Sequence, residues 1–271
     1  MKSNPIKYIL LAVFALLILV PVTMIFLTTF KTTAQMYESP LGLPNSFDFG
    51  NYFSLFENQN MATYFSNSLM VTVVSVFATI FFASLVAFAI TRMGGWFGGL
   101  TFSFFALGMM VPAQVNMIPL YNLVYNLGLT NSLVGLMIVN ISVTLPVAVF
   151  ILTGFMKTLP KELFEACTID GANNWLIYRK MAIPLSLPSI SATAIFLFVM
   201  HWNDLLYPLL FITNDDKKTL PLALLEFQGE YLTNYPMLFT GVMIASAPMV
   251  LTYLFLQRYF IAGMTAGSVK G

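Results

Sequence analysis

Few side chains in this sequence are equipped to carry out a reaction. It has one histidine, His201, and one cysteine, Cys167, in 271 residues. A lone thiol forms no intrachain disulfide and no Cys/His group has metal-ligand spacing, so neither a disulfide nor a metal site is expected. No G-x-x-x-x-G-K-[ST] stretch is present to cradle the phosphates of a nucleotide. What remains is His201-Trp202-Asn203-Asp204, set inside an apolar run, and a polar interruption beginning at Glu162. A carboxylate within a membrane segment costs roughly 2.5–3.5 kcal/mol on insertion scales, so Asp204 is expected to face protein or a water-filled cavity. Asn203 and Asp204 fit two roles: lining a solute pathway, or hydrogen bonding between helices near one membrane face, with the Trp202 indole at interface level. His201 reads as structural. An enzyme would need a tighter cluster of His, Asp, Ser or Cys, so no catalytic residue is expected on this chain.

Composition supplies the setting. With 58% hydrophobic and 8% charged residues and a mean hydropathy of +0.82, the chain lies far from the roughly 25% charged residues of a soluble domain. It reads as an integral membrane protein. The net charge of +1 and the absence of a basic cluster exclude a nucleic-acid surface. Lys2 and Lys7 precede an apolar run from Tyr8 to Phe30 that is too long for a signal-peptide core and lacks an A-x-A-like site, so it reads as a retained anchor.

Runs of about 20 apolar residues predict six transmembrane helices, near 8–30, 64–91, 99–120, 131–156, 186–211 and 237–260. These runs are continuous, which argues against a barrel of short alternating strands. On this map Lys2, Lys7, Arg92, Lys157, Lys161, Arg179, Lys180, Arg258 and Lys270 fall on one side. Only Lys31, Lys217 and Lys218 fall on the other. The positive-inside bias then puts both termini in the cytoplasm.

The connections differ in character. Lys31 to Thr63, with Pro40, Gly42 and Pro44, reads as an external loop, either a plain connector or a docking surface. Arg92-Met-Gly-Gly-Trp-Phe-Gly-Gly99 reads as a tight inner turn, with Arg92 snorkelling and Trp96 at headgroup level. Pro112 and Pro119, around Gln114 and Asn116, predict a third helix broken towards its outer end, and Pro146 a bend in the fourth. Thr213 to Pro236, carrying Asp215, Asp216, Glu226 and Glu230, forms a second outer loop. Tyr259 to Gly271 reads as a cytoplasmic tail with little ability to fold alone.

The interruption after Pro160 is the most informative stretch. Pro160 suits a first helical turn, Glu162 suits the positive end of the helix dipole, and Gly171 sits where a terminating glycine belongs, which predicts a helix of about three turns. Leu163, Phe164, Ala166, Cys167 and Ile169 are too apolar for a freely solvated loop, while Glu162, Glu165 and Asp170 keep it out of the bilayer. A second short helix, 174–183, starts at an Asn cap, carries Arg179 and Lys180 near its negative end and stops at Pro184. Such an elbow fits a groove on a partner protein; an amphipathic connector lying on headgroups would want more Lys and Arg on its polar face.

The spacing Glu165-Ala166-Cys167, Asp170-Gly171-Ala172, Tyr178, Pro184 and Pro188 resembles the EAA loop of permease subunits in binding-protein-dependent ABC importers. Further matches are similar to the carbohydrate-uptake branch and its maltose-type permeases: 112–121, Leu127-Gly-Leu-Thr-Asn131, Trp202-Asn-Asp204 with Pro208, and Gln257-Arg-Tyr-Phe260 with Gly263 and Thr265-Ala-Gly267. The resemblance covers nearly the whole chain; Cys167 departs from it, standing where a second Ala is usual. It implies an all-α integral membrane fold of the ABC type I importer permease, with six transmembrane helices and a cytoplasmic coupling helix. One permease domain would span 1–271, with the coupling elbow at 160–184 and the tail at 259–271. Glu162, Leu163, Phe164, Glu165, Ala166, Cys167, Ile169, Asp170, Gly171 and Ala172 would then couple to the ATPase, Glu165 as polar anchor and Leu163, Phe164 and Ile169 filling its cleft. Implied partners are a second permease subunit, a dimer of ATP-binding subunits holding ATP and magnesium, an external solute-binding protein and the lipid bilayer of a prokaryotic cytoplasmic membrane. No cofactor would sit on this chain, and its residues do not name the solute contacts. A non-sugar solute or an ATP-independent secondary transporter are the competing readings, the latter without visible symmetry between halves.

Overall fold

In the computed structural model, which describes residues 5–229 and 232–266 and their side chains except at 5, 58 and 256–266, the apolar runs form helices and no strand. Helices satisfy their backbone groups internally, as a bilayer demands. α1 spans Pro5–Thr28, α2 Thr33–Glu38, α3 Gly50–Asn58 and α4 Met61–Met93. α5 covers Gly95–Gly108, α6 Met117–Asn126 and α7 Leu133–Met156. α8 is Lys161–Ile169, α9 Asn174–Ile177, α10 Ile183–Trp202 and α11 Leu206–Phe211. α12, Leu220–Leu224, and α13, Tyr235–Ala266, complete the order.

Five helical stretches among the described residues are long and apolar enough to cross a membrane: 6–28, 61–93, 133–156, 174–202 and 235–255. The expected third span is the exception. The break expected around Pro112 is present and complete: α5 ends at Gly108 and turns carry the chain over 109–116 to α6. The backbone groups freed around Pro112 are answered locally, Val115 and Asn116 N–H both donating to the Pro112 carbonyl. Pro119 sits in the first turn of α6, where a missing N–H costs nothing.

The other departures have equally local causes. The 31–63 segment contains two short helices, not loop throughout. Thr32 caps α2 by accepting from Gln35 N–H, and the buried Lys31 folds back so that Nζ donates to the Ser39 and Pro40 carbonyls at 3.0 and 2.9 Å, cationic charge meeting the negative end of α2. The fifth span divides at Asn203-Asp204-Leu205 into α10 and α11. α13 remains helical to Ala266, through residues read as the start of a tail. The remaining tail residues 267–271, Lys2 and Glu230, and the side chains of the Gln257-to-Ala266 motif, lie outside the described residues.

The helices group into two compact units. One comprises 5–65 and 220–248, with α1 to α3, the first turn of α4, α12 and α13 as far as Pro248. The other comprises 66–219 and 249–266. The second unit has a core in which Ala83, Ala87, Phe88 and Ile90 of α4 meet Ala148, Val149, Leu152 and Met156 of α7, with Ile177, Tyr178, Ala182 and Leu197 closing it. Small residues on α4 let the α7 side chains approach closely.

Candidate coupling site

The elbow is built from two capped helices. Pro160, with φ −58° and ψ 128°, stands one residue before α8 and not within its first turn; Lys161 begins the helix. Glu162 lies in that first turn, next to the positive dipole end. At the other end Gly171 N–H donates to Thr168 O at 3.1 Å and Ala172 N–H to Cys167 O at 3.0 Å, the paired bonds of a Schellman cap. That cap needs a left-handed residue, and Gly171 has φ +80°. Asn173 then caps α9, its Oδ1 accepting from Leu176 N–H at 2.8 Å.

Pro184 does not stop the second helix. Residues Tyr178–Ala182 widen into a π-turn, so that Ile183 N–H reaches the Tyr178 carbonyl, five residues back. The wider ring makes room for a proline that has no N–H and would crowd the carbonyl four residues before it. Asn174–Trp202 is therefore one continuous 29-residue stretch. The elbow runs directly into a membrane helix.

The two faces of α8 have different fates. Phe164, Cys167 and Ala172 turn inward and pack on the core of the second unit, so Phe164 belongs to the fold of this chain and does not present itself as a cleft-filling residue. Cys167 Sγ lies 3.5 Å from Met181 Sδ, soft contact of the kind a small thiol makes well. Glu162, Glu165, Ala166 and Asp170 are exposed, Leu163 is 39% exposed and Ile169 86%. Trp175 and Leu176 on α9 extend the exposed apolar surface.

Two contacts missed in the sequence tie the elbow to α4. Tyr178 Oη lies 2.8 Å from Ser84 Oγ, and its ring packs on Phe88 at 5.5 Å and Trp175 at 5.4 Å. Arg92, read as a snorkelling residue, donates through Nη2 to Thr168 Oγ1 on α8 and to Asn174 Oδ1 on α9, each at 3.4 Å. The signal for Arg92 was its lone cationic charge at a helix end; its partners lie 76 and 82 residues away, beyond any periodicity.

The other candidate residues sit elsewhere in the second unit. Asp204 is not within a helix: its Oδ1 accepts from Tyr207 N–H at 3.4 Å and caps α11, while Oδ2 is buried without a partner among the described residues. Asn203 Nδ2 donates to Val199 O at 2.9 Å and lies 3.2 Å from Met249 Sδ. Trp202, expected at the interface, is 2% exposed and stacks on Phe198 at 5.8 Å. His201 joins a buried chain. Thr144 Oγ1 gives its single proton to Asn140 O at 2.7 Å, so Thr79 Oγ1 at 3.4 Å and His201 Nε2 at 3.3 Å are both left to donate to it. This places the proton of a neutral His201 on Nε2, and the residue links α4, α7 and α10 as a structural group. No cluster of three or more His, Cys, Asp or Glu able to hold a metal occurs among the described residues.

An all-helical chain with several membrane-length helices and a capped elbow running into one of them defines a multi-pass helical membrane protein. Residues 79–266 match the family of binding-protein-dependent transport system inner membrane components, and the chain belongs to that family. It is 34% identical to the multiple sugar-binding transport system permease protein MsmG of Streptococcus mutans, over 97% of this chain and 96% of that one. It is 31% identical to the melibiose/raffinose/stachyose import permease protein MelC of Bacillus subtilis, covering 100% and 98%, and 31% identical to the arabinooligosaccharides transport system permease protein AraQ of Halalkalibacterium halodurans, covering 100% and 99%. The fold matches a chain in the crystal structure of a bacterial ABC transporter that imports the acidic polysaccharide alginate, with a TM-score of 0.80, 22% identity, and 96% and 99% coverage. A second alginate transporter structure, in complex with a periplasmic protein bound to alginate pentasaccharide, matches with a TM-score of 0.67 at 14% identity over 92% and 91%.

Proposed function

We propose that this multi-pass membrane protein is a permease subunit of an ATP-driven carbohydrate importer, forming half of a translocation pathway and receiving mechanical work through the 160–184 elbow. The family and its sugar-importing members support the solute class. The observation that carries the mechanism is the outward face of α8: an apolar side chain, Ile169, 86% exposed on a helix whose other face is locked to the core. That surface suits a groove on an ATPase subunit.

In this reading ATP and magnesium bind partner subunits, since this chain lacks a phosphate-cradling loop. Both termini and the elbow lie in the cytoplasm, following the distribution of Lys and Arg. Closure of the ATPase dimer would carry the elbow with it. Because α9 continues through the π-turn into α10, and because Arg92 and Tyr178 hold α4, the motion enters two membrane helices directly. Transport follows when ATP and solute favour different members of an inward-facing and outward-facing pair. α1, none of whose most apolar 18-residue window is buried within the chain, suits contact with lipid or with the second permease subunit. An external binding protein delivers the solute; Asn203 and Asp204 hold the break between α10 and α11, and their role in the pathway is a proposal for test.

Affinity purification of the tagged chain from mild detergent is the test. Recovery of a second permease and an ATPase, with ATP hydrolysis stimulated by a binding protein loaded with one sugar, supports the proposal and names the solute. Stimulation only by a non-sugar solute refutes the carbohydrate part, and ATP-independent uptake by the isolated chain refutes the importer. In vesicles of the assembly, Gly171→Asp and Glu165→Lys are expected to abolish uptake while leaving the protein in the membrane.

A further inference from the structure

We propose that the cleft between the end of α4, the start of α5 and the α7–α8 junction binds the phosphate headgroup of an acidic phospholipid. The cavity is about 290 Å³ and is lined by three cations from three elements: Arg92 near the end of α4, Lys157 capping the end of α7 and Lys161 opening α8. One carboxylate, Glu165, shares the lining, one turn along α8 from Lys161. None of the three cations forms an ion pair among the described residues. The lining therefore carries an excess of two positive charges.

Two of the three cations are held in place. Arg92 is fixed by its bonds to Thr168 and Asn174. Lys157 Nζ lies 4.6 Å from the centre of the Phe102 ring, a cation–π contact that leaves its remaining N–H groups free to donate elsewhere. Pre-positioned cations recognise an anion at lower entropic cost than free surface lysines. The floor is apolar, formed by Met156, Leu159 and Phe164. A free inorganic anion has no use for such a floor, whereas the glycerol and first methylenes of a lipid do.

Depth argues for the same ligand. Trp96 and Phe97, 71% and 63% exposed and in edge contact at 5.1 Å, project from the first turn of α5 beside the cleft. Exposed aromatic residues at a helix end mark the membrane–water interface. The cleft thus opens at headgroup level, where basic pockets between helix ends take anionic lipids. The net excess of two positive charges selects phosphatidylglycerol or cardiolipin over zwitterionic lipids. Since Lys161 and Glu165 belong to the elbow and Arg92 is bonded to it, occupancy of the cleft would bias the position of α8. This inference uses the sidedness proposed above only to assign the inner leaflet, and binding is read without transport, so the two proposals fail independently.

The test uses the full-length chain in nanodiscs of phosphatidylcholine containing a trace of photoactivatable phosphatidylglycerol. Labelling is expected to concentrate on 91–97 and 156–165, above that of a photoactivatable phosphatidylcholine. The double variant K157Q/K161Q is expected to lose about fivefold per lysine, the factor associated with one cation at an acidic bilayer. E165Q is expected to raise labelling. Equal labelling by the two lipids overturns the proposal, as does a K157Q/K161Q protein that melts like the parent and labels equally. Full competition by soluble glycerol phosphate would make the ligand a free phosphate and overturn the lipid assignment. If the double variant does not fold, E165Q decides: unchanged or lower labelling overturns the proposal.

Discussion

Ile169→Ala separates docking from folding more cleanly than any other change in the elbow. The side chain is 86% exposed and lies on the face of α8 turned away from the core, so shortening it removes almost nothing that holds this chain together. In the proposed assembly it enters a groove and becomes buried. Three carbon atoms are lost, each worth about 0.8 kcal/mol when buried, which sums to about 2.4 kcal/mol or roughly a 50-fold weaker association. The assay titrates ATPase subunit onto the permease pair in nanodiscs and follows thermal unfolding of the same samples. Affinity should fall by that order while the unfolding midpoint stays within a degree or two. Phe164→Ala provides the contrast, because Phe164 packs on the core cluster: the permease itself should lose roughly 1–3 kcal/mol of stability, less than the 3–5 kcal/mol of a fully buried Phe. An Ile169→Ala permease that binds ATPase within twofold of the parent, or one that melts as early as Phe164→Ala, would refute the assignment of faces.

Other changes probe the remaining contacts. At Gly171 an added Cβ meets nothing within 4 Å, so the expected uptake defect of Gly171→Asp should come from the φ of +80°, a strain of roughly 1–2 kcal/mol; Gly171→Asn, which tolerates that region better, should retain measurably more uptake. Arg92→Gln removes the guanidinium bridging α8 and α9 to α4, and is expected to leave ATPase recruitment intact while lowering the number of solutes moved per ATP hydrolysed. Asn131, with φ +53°, accepts at Oδ1 from Thr213 and Asn214 N–H at 3.2 and 3.0 Å; Asn131→Ala should cost roughly 1–3 kcal/mol, read as a lower unfolding midpoint in detergent. Asp204→Asn keeps an oxygen for Tyr207 N–H and should leave stability nearly unchanged, so a changed solute preference in uptake assays would assign the carboxylate to the pathway and unchanged uptake would leave it a cap.

The sequence by itself determined the membrane class, the helical architecture, the ends of most spans and the position of the elbow. Those features follow from quantities local in sequence: the length of an apolar run, the need to satisfy backbone groups in lipid, and terminators such as Gly171 and Asn173 that act on their own neighbours. The third span shows where local reading fails, since two prolines announced a break but not that turn hydrogen bonds over 109–116 would divide the run into two short helices. Pro184 was misread as a stop because a π-turn over Tyr178–Ala182 accommodates it, and its first residue is bonded to Ser84, 94 residues away, a contact no local pattern announces. Which side of α8 faces home and which faces outward was likewise decided only by tertiary packing. Leu163, Phe164 and Ile169 look equivalent as apolar letters on one helix, and the core of α4 and α7 takes Phe164 while leaving Ile169 exposed. The same holds for Asp204, whose carboxylate was visible from the start but whose work as a cap exists only because the chain breaks at Asn203-Asp204-Leu205. Periodicity reports what a segment must bury; only the folded chain determines against what.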